Sequence, residues 1–285
     1  MKHLSLICIV VALASCGKKP AETTKAPMAT LTQKWQTEPV LTTVESVIYD
    51  KSGDVIYSAN MNCKADSLDG NGFISKMSLD GKISTLHWID GMDAPKGMGI
   101  NNGKLYVADV NKIHEVDIAS GKIIKTYPVE GSQFLNDLTI DDAGKVYVSD
   151  SNTGNVYMLD NGAVSVWLSN VGGPNGLLSE GSNIWVLSWK DQTMNSVDAN
   201  KQITMKADSL ENPDGVEAVG DGTYLVSAWN GLIRLVDPNT GKVSIILDTR
   251  ADSLNAADID YIPEKKLLLV PTFFKNSVTA YELNK

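Results

Sequence analysis

The chain has 285 residues, of which 43% are hydrophobic and 21% are charged, and these proportions exclude a disordered or fibrous protein. Its net charge is −9, and only Arg234 and Arg250 among its basic residues are arginines. Nucleic-acid binding needs a dense basic face, usually with arginines on phosphate groups, so this composition argues against nucleic acid as a partner.

The N-terminus resembles the export signal of a bacterial lipoprotein. Lys2 precedes an apolar stretch that is too short to cross a bilayer as a stable helix, and Leu13 to Cys16 read LASC. This pattern predicts a signal peptide over residues 1–15 and a lipid on the Cys16 thiol. Because Gly17 rather than an aspartate follows, we expect attachment to the outer membrane, facing the periplasm. The alternative is an ordinary signal peptide with a chance cysteine.

A polar segment follows the predicted lipidation site. Residues 16–34 are rich in threonine, alanine, lysine and proline and show no apolar period, so we predict a lipidated cysteine and a flexible tether. Cys8 would leave with the signal peptide. Cys63 would then be the free thiol of the folded domain, and no intramolecular disulfide is expected.

A repeat with a mean period of about 42 residues runs through residues 35–285. Each copy has a short β-strand pattern after a glycine turn, followed by further strand patterns joined by Asp/Asn/Ser/Thr-Gly turns. A period of about 40–45 residues with several strands is typical of β-propellers. We therefore predict an all-β, six-bladed β-propeller of four-stranded antiparallel blades. The equivalent strand positions are Tyr57, Tyr106, Tyr147, Trp185, Leu225 and Leu269.

The end of the chain predicts how the propeller closes. Residues 277–283 have the pattern of the third strand of the sixth blade, and no fourth strand follows them. The N-terminal part of the domain must then supply it, and residues 39–43 are the predicted closing strand. Such a closure leaves no open edge between the first and last blades.

Polar residues recur 10–12 positions before each of the equivalent strand positions. Each of them alone is an ordinary turn residue, as in Asn-Gly or Asp-Gly, but together they share one phase of the repeat. The innermost strands of a propeller line its channel, so these side chains would meet at one mouth. Two carboxylates and two amide oxygens suit a hard cation such as calcium, magnesium or manganese. The in-phase residues are Glu45, Lys96, Asn136, Asn175, Asp214 and Asp258.

Four segments, at residues 45–49, 134–137, 173–177 and 212–216, resemble successive motifs of the gluconolactonase/regucalcin family. The resemblance covers about residues 40–275 and implies a six-bladed propeller with one divalent cation on its axis that hydrolyses sugar lactones or related esters.

The resemblance also implies roles for individual residues. Glu45, Asn175 and Asp214 would be the metal ligands, with calcium as the expected ion. Asn136 would lie beside the metal and contact the substrate or metal-bound water. Asp214 would also be the general base.

The chain departs from the family pattern at two positions. Phe134 stands where the sugar-lactonase branch often has an arginine that holds substrate hydroxyls. Lys96 stands among the axial residues, where it would neutralise a carboxylate and replace the metal, bind a substrate carboxylate, or remain a solvated charge. The Lys-Gly, Asn-Gly and Asp-Gly phases also resemble NHL-repeat propellers, many of which bind partners without catalysis.

Other polar and aromatic residues have less defined roles. Trp189 and Trp229 either pack between blades or form a pocket wall. Asp109 and Asp150 are expected to tie blades together, and His114 to lie on a strand surface.

The predicted function is metal-dependent hydrolysis of lactones or related esters by a lipid-anchored envelope protein. The metal would polarise the carbonyl, Asp214 or Asp137 would take the proton, and Asn136, Asp137 and Lys96 would bind substrate. The alternative is a non-catalytic NHL-like propeller that binds a ligand or a protein. We expect a monomer that acts on a small molecule and contacts the membrane only through its lipid.

Overall fold

The structure, a computed structural model, describes residues 29–285. In this range the chain forms six antiparallel four-stranded sheets, which confirms the predicted six-bladed β-propeller. The predicted signal peptide and the lipidation site at Cys16 lie outside the described residues. The helices within the described range are two three-residue 3₁₀ helices, Arg250–Asp252 and Pro263–Lys265, and neither is long enough to cross a membrane.

Each of the first five blades is built from four consecutive strands, ordered from the propeller axis outwards. Blade 1 contains β2 (Val44–Asp50), β3 (Val55–Asn60), β4 (Gly72–Met77) and β5 (Ile83–Met92). Blade 2 contains β6 (Pro95–Asn101), β7 (Lys104–Asp109), β8 (Lys112–Asp117) and β9 (Lys122–Pro128). Blade 3 contains β10 (Leu135–Ile140), β11 (Val146–Asp150), β12 (Asn155–Asp160) and β13 (Ala163–Leu168). Blade 4 contains β14 (Pro174–Glu180), β15 (Asn183–Ser188), β16 (Thr193–Val197) and β17 (Ile203–Ala207). Blade 5 contains β18 (Pro213–Ala218), β19 (Tyr224–Ala228), β20 (Leu232–Asp237) and β21 (Lys242–Asp248).

The sixth blade joins the two ends of the domain. It contains β22 (Asp260–Ile262), β23 (Leu267–Pro271), β24 (Val278–Asn284) and, outermost, β1 (Thr30–Gln36). Closure by an N-terminal strand is confirmed, but the predicted position of that strand is wrong. Residues 39–43 form a turn, and the closing strand begins inside the predicted tether and ends two residues beyond it.

The hydrophobic core lies between the blades. Six clusters of buried apolar side chains each fill one interface between neighbouring blades, including the interface between blades 6 and 1. Every blade therefore packs against two others, and the burial of apolar side chains at both interfaces stabilises it.

Candidate functional site

A β-bulge interrupts the start of the innermost strand in each of the first five blades. The pairing between the first and second strands shifts register between Val44 and Ser46 in blade 1, and at the corresponding position in the next four blades. A bulge breaks the strict alternation of a strand and re-aims a side chain. The bulged stretches contain Glu45, Lys96, Asn136, Asn175 and Asp214, which are the predicted axial residues.

Three of these bulges have the sequence Pro-x-Gly, and their glycines lie at close contacts between innermost strands. A Cβ atom on Gly176 would lie 2.2 Å from the carbonyl oxygen of Asp214, and one on Gly97 would lie 2.5 Å from Cα of Asp137. These glycines do not have positive φ angles, so they are not turn glycines. The alternative interpretation of these dipeptides as ordinary turns is therefore wrong.

The five bulge residues share one cavity of about 440 Å³. All five are buried, and we call them the polar floor. The cavity is also lined by Phe134, Trp189, Trp229 and Phe273, which are half-buried and which we call the aromatic wall. Of the two roles considered for Trp189 and Trp229, the structure supports the pocket wall.

A chain of hydrogen bonds connects three residues of the polar floor. Asn136 Nδ2 donates to Asn175 Oδ1 at 2.6 Å, and Asn175 Nδ2 donates to Asp214 Oδ1 at 2.9 Å. Asn136 Nδ2 also lies 3.2 Å from Ser151 Oγ, which itself donates to the carbonyl oxygen of Pro174. These bonds fix the orientation of both amides with respect to Asp214.

Burial makes the ionised forms of the two acids of the polar floor, Glu45 and Asp214, unfavourable. Glu45 Oε2 is buried and has no hydrogen-bond partner in the described chain. Burial and, after it, the charge of Asp214 raise the pKa of Glu45 well above its ordinary value. Burial also raises the pKa of Asp214 to about 7, although the hydrogen bond from Asn175 opposes this change. Positive charge placed between the two carboxylates would relieve both effects.

Lys96 is the cationic member of the polar floor. Only 1% of its surface is exposed, so the predicted alternative of a solvated charge is wrong. Its Nζ donates to the carbonyl oxygen of Ala94 at 3.1 Å and lies 4.6 Å from the ring centre of Phe134. Burial lowers its pKa to about 8, and Glu45 is the main opposing charge.

The polar floor fits a hard divalent cation with one adjustment. Glu45 and Asp214 supply carboxylate oxygens, and Glu45 has a free one. Asn175 directs its nitrogen toward Asp214, so its amide must turn by about 180° to offer an oxygen there. No group of three or more His, Cys, Asp or Glu side chains in residues 29–285 is arranged to hold a metal ion. A cation here would therefore depend on amide oxygens as well as carboxylates.

Asp137 and Asp258 do not join the polar floor. They line a second cavity of about 240 Å³, further along the same innermost strands. Asp137 accepts hydrogen bonds from the backbone N–H groups of Leu138 at 2.6 Å and Leu177 at 2.5 Å. Its carboxylate thus binds the neighbouring strand and lies away from the predicted substrate site.

The aspartates at the ends of the second strands position the site indirectly. Asp109 accepts hydrogen bonds from the backbone N–H groups of Asp93 and Ala94, just before Lys96. Asp150 holds the connection before Asn136 in the same way. Each aspartate therefore fastens the connection between two blades, as expected.

The two histidines of the described chain lie outside the cavity. His114 is buried and its Nε2 lies 3.0 Å from Asp109 Oδ2, so its predicted place on a strand surface is wrong. His87 pairs with Asp90 at an exposed position. Ser151 and Phe273 also line the cavity, but the repeat spacing did not predict them. Both lie between strands, in connections whose lengths differ from blade to blade.

The raised pKa of Asp214 predicts that stability falls as pH rises. Its pKa is about 7 in the folded protein, against 3.8 for an ordinary aspartate. The stabilising effect of the retained proton is thus complete below about pH 4 and is lost as pH rises through about 7. With a chelator present, we expect wild type to lose at least about 1 kcal/mol relative to Asp214→Asn between about pH 5 and 8. Urea unfolding at both pH values measures this, and an identical pH dependence of the two proteins would contradict it.

The fold is shared with enzymes of known structure. A gluconolactonase from Xanthomonas campestris is 15% identical, with a TM-score of 0.69 over 86% of this chain and 88% of that one. An inactive histidine-to-alanine variant of virginiamycin B lyase from Staphylococcus aureus, solved with quinupristin, is 14% identical, with a TM-score of 0.64 over 90% and 100%. A streptogramin B lyase is 12% identical, with a TM-score of 0.65 over 90% and 98%. No protein-family model matches the sequence, and no curated protein matches it significantly.

Because these proteins are only 12–15% identical to this chain, their similarity shows a shared fold. They cover nearly the whole described chain, so the propeller that the sequence resemblance implied is confirmed, and a gluconolactonase is among the similar structures.

Proposed function

We propose that this protein hydrolyses lactones or related esters in the cavity between the polar floor and the aromatic wall. The observation that carries the proposal is the meeting of two buried acids, one with an unpartnered oxygen, at bulges on the propeller axis. Such bulges and raised carboxyl pKa values concentrate at catalytic sites. The shared fold with a gluconolactonase is consistent with this reaction class.

A divalent cation, calcium in our proposal, would be held by Glu45, Asn175 and Asp214. When bound, it supplies Lewis-acid polarisation of a carbonyl group and makes water more acidic. Calcium is favoured over zinc because the donors are oxygens and neither a histidine nor a cysteine lines the cavity.

The side chains of the cavity divide the remaining work. Asp214 is the proposed general base, because it is a carboxylate of the polar floor whose orientation the hydrogen bond from Asn175 fixes. Asn136 is held by Asn175 and Ser151 and is placed to position the substrate carbonyl group. The aromatic wall favours an apolar substrate over a sugar lactone, since Phe134 offers no hydrogen bond to a hydroxyl group.

Hydrolysis is preferred over the elimination chemistry of the lyases. The virginiamycin B lyase variant is inactive without one histidine. In the described part of this chain the histidines are His87 and His114, and neither lines the cavity.

Ligand binding without catalysis is the second candidate. The hydrogen bonds from Asn136 to Asn175 and on to Asp214 satisfy these groups without any bound cation. A binding propeller would use the same aromatic wall and need no general base.

A hydrolysis panel separates the two candidates. The full chain, purified in detergent, is assayed on alkyl and aryl lactones, a sugar lactone and aryl esters, with calcium and with chelator. We expect turnover of apolar lactones or esters that falls at least about 100-fold on chelation. Absence of turnover on the whole panel, in protein whose melting temperature calcium raises, would leave binding as the function.

We also propose that the protein is exported and anchored through lipid on Cys16, facing the periplasm. Cys16→Ser should move it from the membrane fraction to the soluble fraction. An unchanged distribution would contradict the anchor.

A further inference from the structure

Lys96 has hydrogen-bonding capacity that the described chain does not use. An ammonium group has three N–H donors, and Nζ of Lys96 makes one hydrogen bond, to the carbonyl oxygen of Ala94. It forms no ion pair with any carboxylate of residues 29–285, whereas Lys104 and Lys112 are each paired with an aspartate. A buried cation without a carboxylate at ion-pair distance is costly, although Glu45 acts on it from further away, so a ligand that places a carboxylate there would be bound favourably.

The ammonium group of Lys96 lies at the lining of the cavity. Lys96 is a lining residue, and its Nζ lies next to the ring of Phe134, which lines the cavity as well. The ring of Phe134 covers part of the ammonium group at 4.6 Å, and this contact compensates for only part of the lost hydration. The remaining donors are therefore available to a molecule inside the cavity.

The aromatic wall restricts what this molecule is. Trp229 and Phe273 meet edge to face at 5.5 Å between ring centres, and both line the cavity with Trp189. Such a wall offers flat apolar surfaces and few hydrogen-bonding groups, so it favours an unsaturated or aromatic ring over a hydroxylated sugar.

We infer that Lys96 binds a carboxylate group of the ligand while the aromatic wall holds an apolar ring of the same molecule. If the proposed hydrolase activity is correct, on which this substrate class rests, the substrate is an apolar lactone or ester that carries a separate carboxylate. Hydrolysis breaks the acyl C–O bond, adds water across it, and gives one new carboxylate, one hydroxyl group and one proton, which leaves to solvent. The carboxylate held by Lys96 takes no part in that exchange, so Lys96 determines specificity.

Binding of two matched ligands tests the inference without any turnover. Phenylacetate and its neutral isostere phenylacetamide are titrated into the full chain with chelator present, and tryptophan fluorescence is followed. Wild type should bind phenylacetate at least about tenfold more tightly than the amide, the gain expected for one charge-assisted hydrogen bond. Lys96→Met and Lys96→Gln should lose this preference while binding phenylacetamide within about twofold of wild type.

Two control variants locate the charge. Lys122→Met removes an exposed lysine on β9, outside the cavity, and should keep the full preference for phenylacetate. Lys190→Met removes the exposed lysine at the cavity rim. Loss of the preference in Lys190→Met but not in Lys96→Met would overturn the inference, as would equal affinity of wild type for the two ligands.

The outcome is independent of the hydrolysis panel. A lysine-dependent preference for phenylacetate without turnover would support the anion site and contradict the hydrolase. Turnover of neutral lactones by a protein that binds phenylacetate and phenylacetamide equally would support the hydrolase and contradict the anion site. Thermal melts of both Lys96 variants verify folding, and removal of a buried unpaired charge is expected to leave stability unchanged or raise it.

Discussion

Asp214→Ala is expected to abolish hydrolysis and calcium-dependent stabilisation together. The carboxylate is both a proposed cation ligand and the proposed base, and its removal leaves Glu45 as the one acid of the polar floor. Loss of a base and a ligand should lower kcat/KM by at least about 1,000-fold. Calcium at 100 times its Kd should stabilise wild type by about 2.7 kcal/mol, a shift of several degrees in Tm, and leave the variant unchanged.

A second acid on the same strand provides the matched control. Glu217 lies on β18 as Asp214 does, but it lines the second cavity, and burial raises its pKa well above the ordinary value. Glu217→Gln should keep both the activity and the calcium shift. If Asp214→Ala retains the calcium shift, then the cation is bound elsewhere. If both variants lose activity equally, the effect is general to the channel and not specific to the cavity.

The positions of the site residues were predictable because they depend on repetition. Glu45, Asn136, Asn175 and Asp214 occupy one phase of the repeat, and equivalent strand ends in a closed ring must converge on its axis. The bulges that aim these side chains leave a sequence signal as well, since Pro-x-Gly combines a strand start with a glycine at a close strand contact. Five of the six in-phase residues accordingly share one cavity.

Burial and side-chain direction were less predictable, because they depend on neighbouring blades. Asp258 has the same spacing as the other in-phase residues but lines the second cavity, and the innermost strand of blade 6 starts only at Asp260. Lysine side chains are usually exposed, yet Lys96 is buried on the innermost strand of blade 2, with its Nζ next to the ring of Phe134 just before blade 3. His114 alternates with apolar residues, but the carboxylate of Asp109 holds it inside the blade.

The closing strand was misplaced because an outermost strand has little apolar signal. Leu31 and Trp35 of β1 are half-buried, and the other five residues are exposed. A bulge between Gln33 and Trp35 further disturbs the alternation. Leu41, in contrast, is fully buried against blades 6 and 1, so residues 39–43 resemble a strand while forming a turn.

Deletion of residues 29–36 from the full chain is therefore expected to destabilise the propeller and to make its unfolding less cooperative. The deletion removes the pairing of β1 with β24 from Thr30–Asn284 to Gln36–Thr279, and it exposes β24 as an open edge. It also removes Trp35, whose ring covers Gly81 of blade 1. Since each blade is stabilised by two neighbours, weakening this interface should lower Tm by about 10 °C or more and broaden the urea transition.

Two comparisons show whether the loss comes from closure. Deletion of residues 21–28, a segment of equal length that contains none of the described strands, should leave Tm and the urea transition unchanged. A synthetic peptide of residues 30–36, TLTQKWQ, should restore part of the lost stability when added to the chain that lacks residues 29–36, because an open sheet edge accepts a matching strand. A scrambled peptide should not, since its side chains would not place an apolar residue on Gly81. If the chain without β1 unfolds with the midpoint and slope of wild type, the six blades do not depend on this strand, and closure must come from blade packing alone.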